Sequence, residues 1–172
     1  MFQRISFFGL ILFLISACGG GGDSTPPAST PTTINSYTIS SGGSNLNGAE
    51  QINASVNGGE FTTDWSVTAA TDPYHSRLYV SADATLSTNT DVQFFGVNCG
   101  SGMLHGCNST ASFTCRFTTQ NHISCGVLNQ VNQGEDLTTF LTGLPEEVYI
   151  LHQACDGLFS SCVTRAIKVE LQ

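Results

Sequence analysis

The chain has 172 residues, thirteen of them acidic and five basic, for a formal charge of −8; only 10% of its side chains are charged. With no basic patch to neutralise phosphates, nucleic acid is not expected among its partners. Seven cysteines and the abundance of Ser, Thr, Asn and Gly fit an exported, β-rich chain in an oxidising compartment, because hydroxyl and amide side chains solvate the outer face of a sheet.

Met1 to Arg4 supply one positive side chain, and Ile5-Ser-Phe-Phe-Gly-Leu-Ile-Leu-Phe-Leu-Ile15 follows without any charge. This is the n-region and h-region of a signal peptide. As a helix the apolar run spans about 17 Å, roughly half of a ~30 Å hydrocarbon core, which is too short for a permanent membrane span. It ends in Leu14-Ile15-Ser16-Ala17-Cys18-Gly19, an aliphatic residue, two small residues and a cysteine.

That ending resembles the lipobox of bacterial lipoproteins, where Ile15–Cys18 marks cleavage and Cys18 receives lipid. The resemblance implies removal of residues 1–17, lipidation of Cys18 with acyl chains such as palmitate, and anchorage in the cell envelope. Glycine rather than aspartate at position 19 implies the outer membrane by the enterobacterial rule. Removing Cys18 from seven cysteines leaves an even six for disulfides. Residues 18–35, with GGGGDSTPPASTPTTIN following Cys18, have no apolar periodicity and read as a lipidated flexible tether.

From Tyr37 onward no helical period is sustained, whereas several segments alternate with period two. Phe61, Trp65, Val67 and Ala69 share one face of a predicted strand, with Thr62, Asp64, Ser66 and Thr68 on the other. Leu78 and Val80 oppose Arg77 and Tyr79. Val92 and Phe94 alternate with Gln93 and Phe95, both faces reading as partly covered. Short strands separated by Gly, Pro, Asn and Asp predict an all-β, immunoglobulin-like sandwich of antiparallel strands, formed by residues 36–172 as a single domain and braced by three disulfides.

Cysteine spacing and alternation can be tested against each other. If Cys115 faces Cys125 in a hairpin, then Phe113 faces Val127, Phe117 faces Ile123, and Thr119-Gln120-Asn121 forms the turn. If Cys155 faces Cys162, then Val148 faces Val169, Ile150 faces Ile167 and Ala154 faces Val163. Each register gathers apolar residues on one face without having been chosen to do so. The exception is His152 opposite Arg165, which predicts either a sheet edge or a bulge. Cys99 and Cys107 pair by elimination, one choice among the fifteen that six cysteines allow.

Gaps of seven, nine and six residues between these cysteines do not suit zinc, and no C-x-x-C redox motif occurs. Oxygen-bearing side chains alternate from Asp83 to Asp91, making Asp83, Asn89 and Asp91 a calcium candidate; the central glycine and closing glutamate of an EF-hand are missing, and turn chemistry explains the pattern equally well. His75, His105, His122 and His152 occur without a G-x-S-x-G elbow, an H-E-x-x-H helix or a phosphate loop, and Ser160-Ser161 reads as turn chemistry. No catalytic residue, resident metal or cofactor is therefore assigned. Asn53-Ala-Ser and Asn108-Ser-Thr match the glycosylation sequon by chance in a bacterial setting, and Trp65 with Phe61 reads as core rather than a sugar platform.

Arg77-Leu-Tyr-Val-Ser-Ala-Asp83 with Ser87 and Asp91 is similar to the strand-and-loop signature of CARDB domains, immunoglobulin-like modules of bacterial surface proteins. Gly143-Leu-Pro-Glu-Glu-Val-Tyr-Ile-Leu151 looks like the strand entry common to such sandwiches. The Cys155 to Cys162 segment stands where CARDB sequences usually have an asparagine-rich ending. The resemblance implies a sandwich with an adhesion or scaffold role. The sequence thus predicts a membrane-anchored, non-enzymatic binding or structural module with a protein partner in the envelope. The alternative is a periplasmic small-ligand or calcium-binding protein, followed by an envelope hydrolase.

Overall fold

The computed structural model describes residues 30–42, 50–103, 107–126 and 133–172. Cys18, the expected signal peptide and most of the expected tether lie outside the described residues, as do His105 and Val127. Ten strands follow in chain order: β1 (Thr33–Ser41), β2 (Glu50–Ile52), β3 (Glu60–Thr68), β4 (Tyr74–Ser81), β5 (Val92–Cys99), β6 (Thr110–Phe117), β7 (His122–Gly126), β8 (Gln133–Asp136), β9 (Glu146–Asp156) and β10 (Cys162–Leu171). They form two five-stranded sheets, β1-β3-β6-β7-β8 and β2-β10-β9-β4-β5. Pairing is antiparallel except for β2 alongside β10.

The architecture is an immunoglobulin-like sandwich: β4, β9 and β10 occupy the places of strands C, F and G, and β1 and β3 those of A and B. The first sheet departs from that plan because β6, beside β3, precedes its outer neighbour β7 in sequence. No disulfide crosses between the sheets among the described residues. Bridges join Cys99 to Cys107, Cys115 to Cys125 and Cys155 to Cys162, each closing a local loop or hairpin.

Period-two alternation builds the core. Along β3, Phe61, Thr63, Trp65 and Val67 are buried while the intervening residues are at least partly exposed. Phe113, Cys115 and Phe117 of β6 extend this layer, and Leu78, Val80, Val148, Ile150 and Ala154 face it from the second sheet. The hairpin registers pair Cys115 with Cys125 and Phe117 with Ile123, and Ile150 with Ile167 and Ala154 with Val163. No irregularity interrupts β9 and β10, so the edge alternative explains His152 and Arg165. β2 covers only Val169–Leu171 of β10, leaving Arg165 exposed while His152 is buried deeper in the same sheet.

Two irregularities alter what alternation alone implies. The β1–β3 register shifts between Ile34 and Ser36, making Asn35 an extra residue. Ile34 and Tyr37 are consequently both buried despite their odd spacing. The first strand therefore begins at Thr33, three residues before residue 36. Between β4 and β5, Leu78 pairs with Phe95 and Tyr79 with Gln93, which leaves Phe94 as the extra residue. Phe94 and Phe95, though adjacent, both enter the core.

Strand polarity defines two ends. The start of β1, the end of β3, the start of β4 and the β9–β10 loop lie together at one end. The end of β1, the 3-10 turn Asn57–Gly59 and the start of β9 lie at the other. That turn sits against β6: a Cβ on Gly59 would come 1.7 Å from the Phe117 carbonyl oxygen, and its φ of +71° suits glycine.

Candidate functional site

The arrangement closest to catalytic chemistry lies between the sheets. The Ser76 hydroxyl is 2.7 Å from His152 Nε2, across a diagonal of β4 and β9. Tyr37 and Trp65 pack on the imidazole at centroid distances of 5.2 and 4.5 Å. A nucleophile and a base within hydrogen-bonding reach meet one requirement of acyl transfer, but both residues have 0% exposure. His152 Nδ1 has no hydrogen-bond partner, whereas a catalytic imidazole is oriented by a group there. Burial depresses its pKa from 6.5 to about 3. A base this weak is poorly matched to chemistry near neutrality, and the geometry is that of a packed core.

The other sequence candidates disperse. Asp83 accepts the Thr85 amide at 2.7 Å and Asp91 accepts the Ser87 amide at 2.7 Å, both as turn residues. No group of three or more His, Cys, Asp or Glu able to hold a metal occurs among the described residues. His122 is exposed at the start of β7, and His75 packs on the β9–β10 loop. Asn53 caps Ser55 and bonds Gln172, while Asn108 accepts the Tyr74 hydroxyl through its carbonyl at 2.7 Å. Trp65 is buried and stacks on Phe113 at 5.0 Å.

Two surface features have the geometry for contact with another body. Most of the outer face of β1, β3 and β6 is a grid of short oxygen-bearing side chains, because the strands alternate mainly apolar residues inward with mainly Ser, Thr or Asp outward, Glu60 and Arg116 forming an ion pair at one end. Thr38, Asp64 and Ser112 form one rank across it, followed by Ser36, Ser66 and Thr110, with Ser40, Thr62 and Thr114 on the other side. Around Ser36, Asp64, Ser66, Thr110 and Ser112 the face is hollowed into an open depression of about 390 Å³. Asn35, displaced by the β1 bulge, donates to Thr68 at 3.0 Å and borders this surface.

The second feature is the β9–β10 loop. Asp156 accepts the Leu158 and Ser160 amides at 3.2 and 2.7 Å and the Ser160 hydroxyl, which holds its carboxyl below the usual aspartate range. The Cys155–Cys162 bridge closes the base. Phe159 adopts φ +57°, unusual for a bulky residue, and stacks on His75 at 4.1 Å, with the Arg77 guanidinium 4.6 Å from its ring. Leu158 projects from this frame with 82% exposure.

The chain matches no family of known proteins, no curated protein and no solved structure.

Sequence reading identified Ser160–Ser161 as turn residues but passed over Leu158 and Phe159. The signal was present: two large apolar residues inside a six-residue loop between cysteines, where polar turn residues suffice. Near this loop lies a smaller cleft of about 210 Å³ that includes Asp72, Tyr74, Ser101 and Asn108. The Ser101 hydroxyl and amide bond Asp72 and hold its carboxyl below the usual range.

Proposed function

We propose that the chain is a lipoprotein of the bacterial envelope, anchored through lipid on Cys18, whose sandwich serves as a non-enzymatic binding or structural module. The Ile15–Cys18 lipobox supports the anchor. The hydroxyl-bearing face of the first sheet is the observation that carries the binding role. Its side chains offer dense hydrogen bonding with little rotamer entropy to lose, and they surround a hollow containing one carboxylate, Asp64. Such a surface suits a neutral or cationic polar partner, in keeping with the acidic composition.

The similarity to CARDB modules points the same way. Its two segments contribute β4 and the start of β9, which pair directly through Tyr79 with Leu151 and Val80 with Ile150. The ligand-carrier alternative has less support, since the 210 Å³ cleft and the 390 Å³ depression are both open to solvent rather than enclosed apolar pockets.

The test is photo-crosslinking of the full lipidated protein in its own envelope, with the reactive group placed at Thr62 or Ser112 and, as control, at Thr164 on the opposite sheet. A discrete protein adduct from the first two positions and none from the third is expected. Absence of an adduct at every position refutes the binding role.

A further inference from the structure

We infer that the β9–β10 loop is a second, shallow membrane contact: Leu158 and Phe159 rest in the lipid headgroup region and orient the anchored domain end-on to the bilayer. The inference rests on lipidation of Cys18 and adds to it the pose of the domain. Three independent observations support it.

The first is where the tether arrives. Thr32 is buried, its amide donates to the Ser161 hydroxyl at 3.2 Å, and its own hydroxyl accepts the Ala70 amide at 3.1 Å. The chain from Cys18 therefore enters the domain beside the β9–β10 loop. Only residues 19–29 separate Cys18 from Thr30, a span of at most about 40 Å even if fully extended. The end bearing Leu158 is the end held near lipid.

The second is the character of the loop. At 82% exposure Leu158 is the most exposed large apolar residue described, and Phe159 beside it is 44% exposed. Val56 and Leu144, the other exposed large apolar residues, stand singly on separate loops at the opposite end. The Leu158 loop is also rigid, through the Cys155–Cys162 bridge, the Asp156 cage and a Gly157 amide bond to Thr71 at 2.7 Å. A preorganised apolar tip loses little freedom on insertion.

The third is charge. Glu50, Glu60, Asp83, Asp91, Glu146 and Glu170 all sit toward the far end or on its connecting loops. Toward the near end, Asp72 and Asp156 stay ionised, since the Ser101 and Ser160 hydrogen bonds lower their pKa, but their two charges are matched by those of Arg77 and Arg165. Arg77 lies over Phe159, and Arg165 is exposed on β10, three residues beyond Cys162. An anionic bilayer surface therefore repels the far end more strongly than the near one, and the Arg77 guanidinium is placed to meet lipid phosphate just behind the apolar tip.

The experiment uses full-length lipidated protein in vesicles of phosphatidylethanolamine and phosphatidylglycerol, with and without brominated acyl chains. Leu158→Trp and Val56→Trp each add one indole to the buried Trp65, which gives a constant background. Flotation with the vesicles reports the anchor. With flotation established, at least twofold quenching and a blue shift of the added emission in Leu158→Trp, with neither in Val56→Trp, is the expected result. A floating protein whose Leu158→Trp emission is red and unquenched, or quenched no more than that of Val56→Trp, overturns the membrane contact and leaves the anchor standing. Failure to float overturns the anchor and this inference with it.

Discussion

His152 provides a sharp test of how the core is held. The imidazole is fully enclosed and makes one hydrogen bond, to Ser76, and desolvation brings its pKa from 6.5 down to about 3. In the unfolded chain the ring takes up a proton near pH 6.5, while the folded protein keeps it neutral. Between those values the unfolded state binds more protons, so stability falls as pH falls, at about 1.4 kcal/mol per pH unit. From pH 7 to pH 5 the loss due to His152 is about 2 kcal/mol. Asp72, Asp136 and Asp156 are also held below the usual aspartate range by hydrogen bonds from Ser101, Thr138 and Ser160. Their stabilisation is present above the ordinary aspartate range and is lost only at more acidic pH, which leaves the interval from 5 to 7 to the imidazole.

The informative variant is Ser76→Ala with His152→Leu, which removes both partners of the hydrogen bond at nearly constant volume. His152→Leu alone would strand the Ser76 hydroxyl at a cost of about 1–3 kcal/mol. Denaturant unfolding of the oxidised protein at pH 7, 6 and 5 should give a double variant within about 1 kcal/mol of the parent at pH 7. Its loss on acidification should be smaller by about 2 kcal/mol. Equal pH slopes in variant and parent would refute the account of His152 as a neutral, sealed core residue.

Three further outcomes are expected. Gly59→Ala drives a Cβ into the Phe117 carbonyl at a positive φ and should cost at least about 3 kcal/mol, or prevent folding, as read by thermal melting. Replacing Cys155 and Cys162 by Ala should cost about 2.5 kcal/mol by loop-closure entropy, and should speed amide exchange at Leu158 and Ser160 far more than in β3. Gln133 brackets the outer edge of β5, accepting the Gly96 amide at 2.9 Å and donating to its carbonyl at 2.7 Å. Gln133→Ala should accelerate Gly96 amide exchange at least tenfold, an effect of about 1.4 kcal/mol or more, and raise self-association in sedimentation by baring a strand edge.

Much of the sandwich was legible because its hairpins are local. A disulfide between strands joined by a short turn fixes one facing pair, and period-two alternation then sets every other pair. The registers around Cys115–Cys125 and Cys155–Cys162 could thus be written down from residue types alone. Bulges are where alternation breaks down: one extra residue shifts the phase, so Ile34 and Tyr37 are both buried despite their odd spacing and the adjacent Phe94 and Phe95 both enter the core. Nothing in the local residue types marks Asn35 or Phe94 as extra. Their placement follows from how much apolar surface the facing sheet can cover.

The outer face of the first sheet was half legible. Thr62, Asp64, Ser66 and Thr68 were recognisable as the solvent side of one strand, but their assembly with Ser36, Thr38, Thr110 and Ser112 requires the order β1-β3-β6, which joins segments distant in sequence. His152 needed the same information. Beside Arg165 on one hairpin it looked like a pair of basic groups wanting water, and only Trp65 and Tyr37 from the other sheet seal it away.

By itself the sequence determined the β class, the cysteine hairpins, the acidic balance and the lipobox resemblance, all of which depend on residues close together along the chain. Tertiary structure decided which polar residues are sealed and which form a continuous face. It also decided that the chain enters the domain beside the β9–β10 loop, because Thr32 and Ser161 meet across more than a hundred residues of intervening chain. Long-range contacts of this kind are set by sheet order and by burial of the shared core, properties that no local pattern encodes.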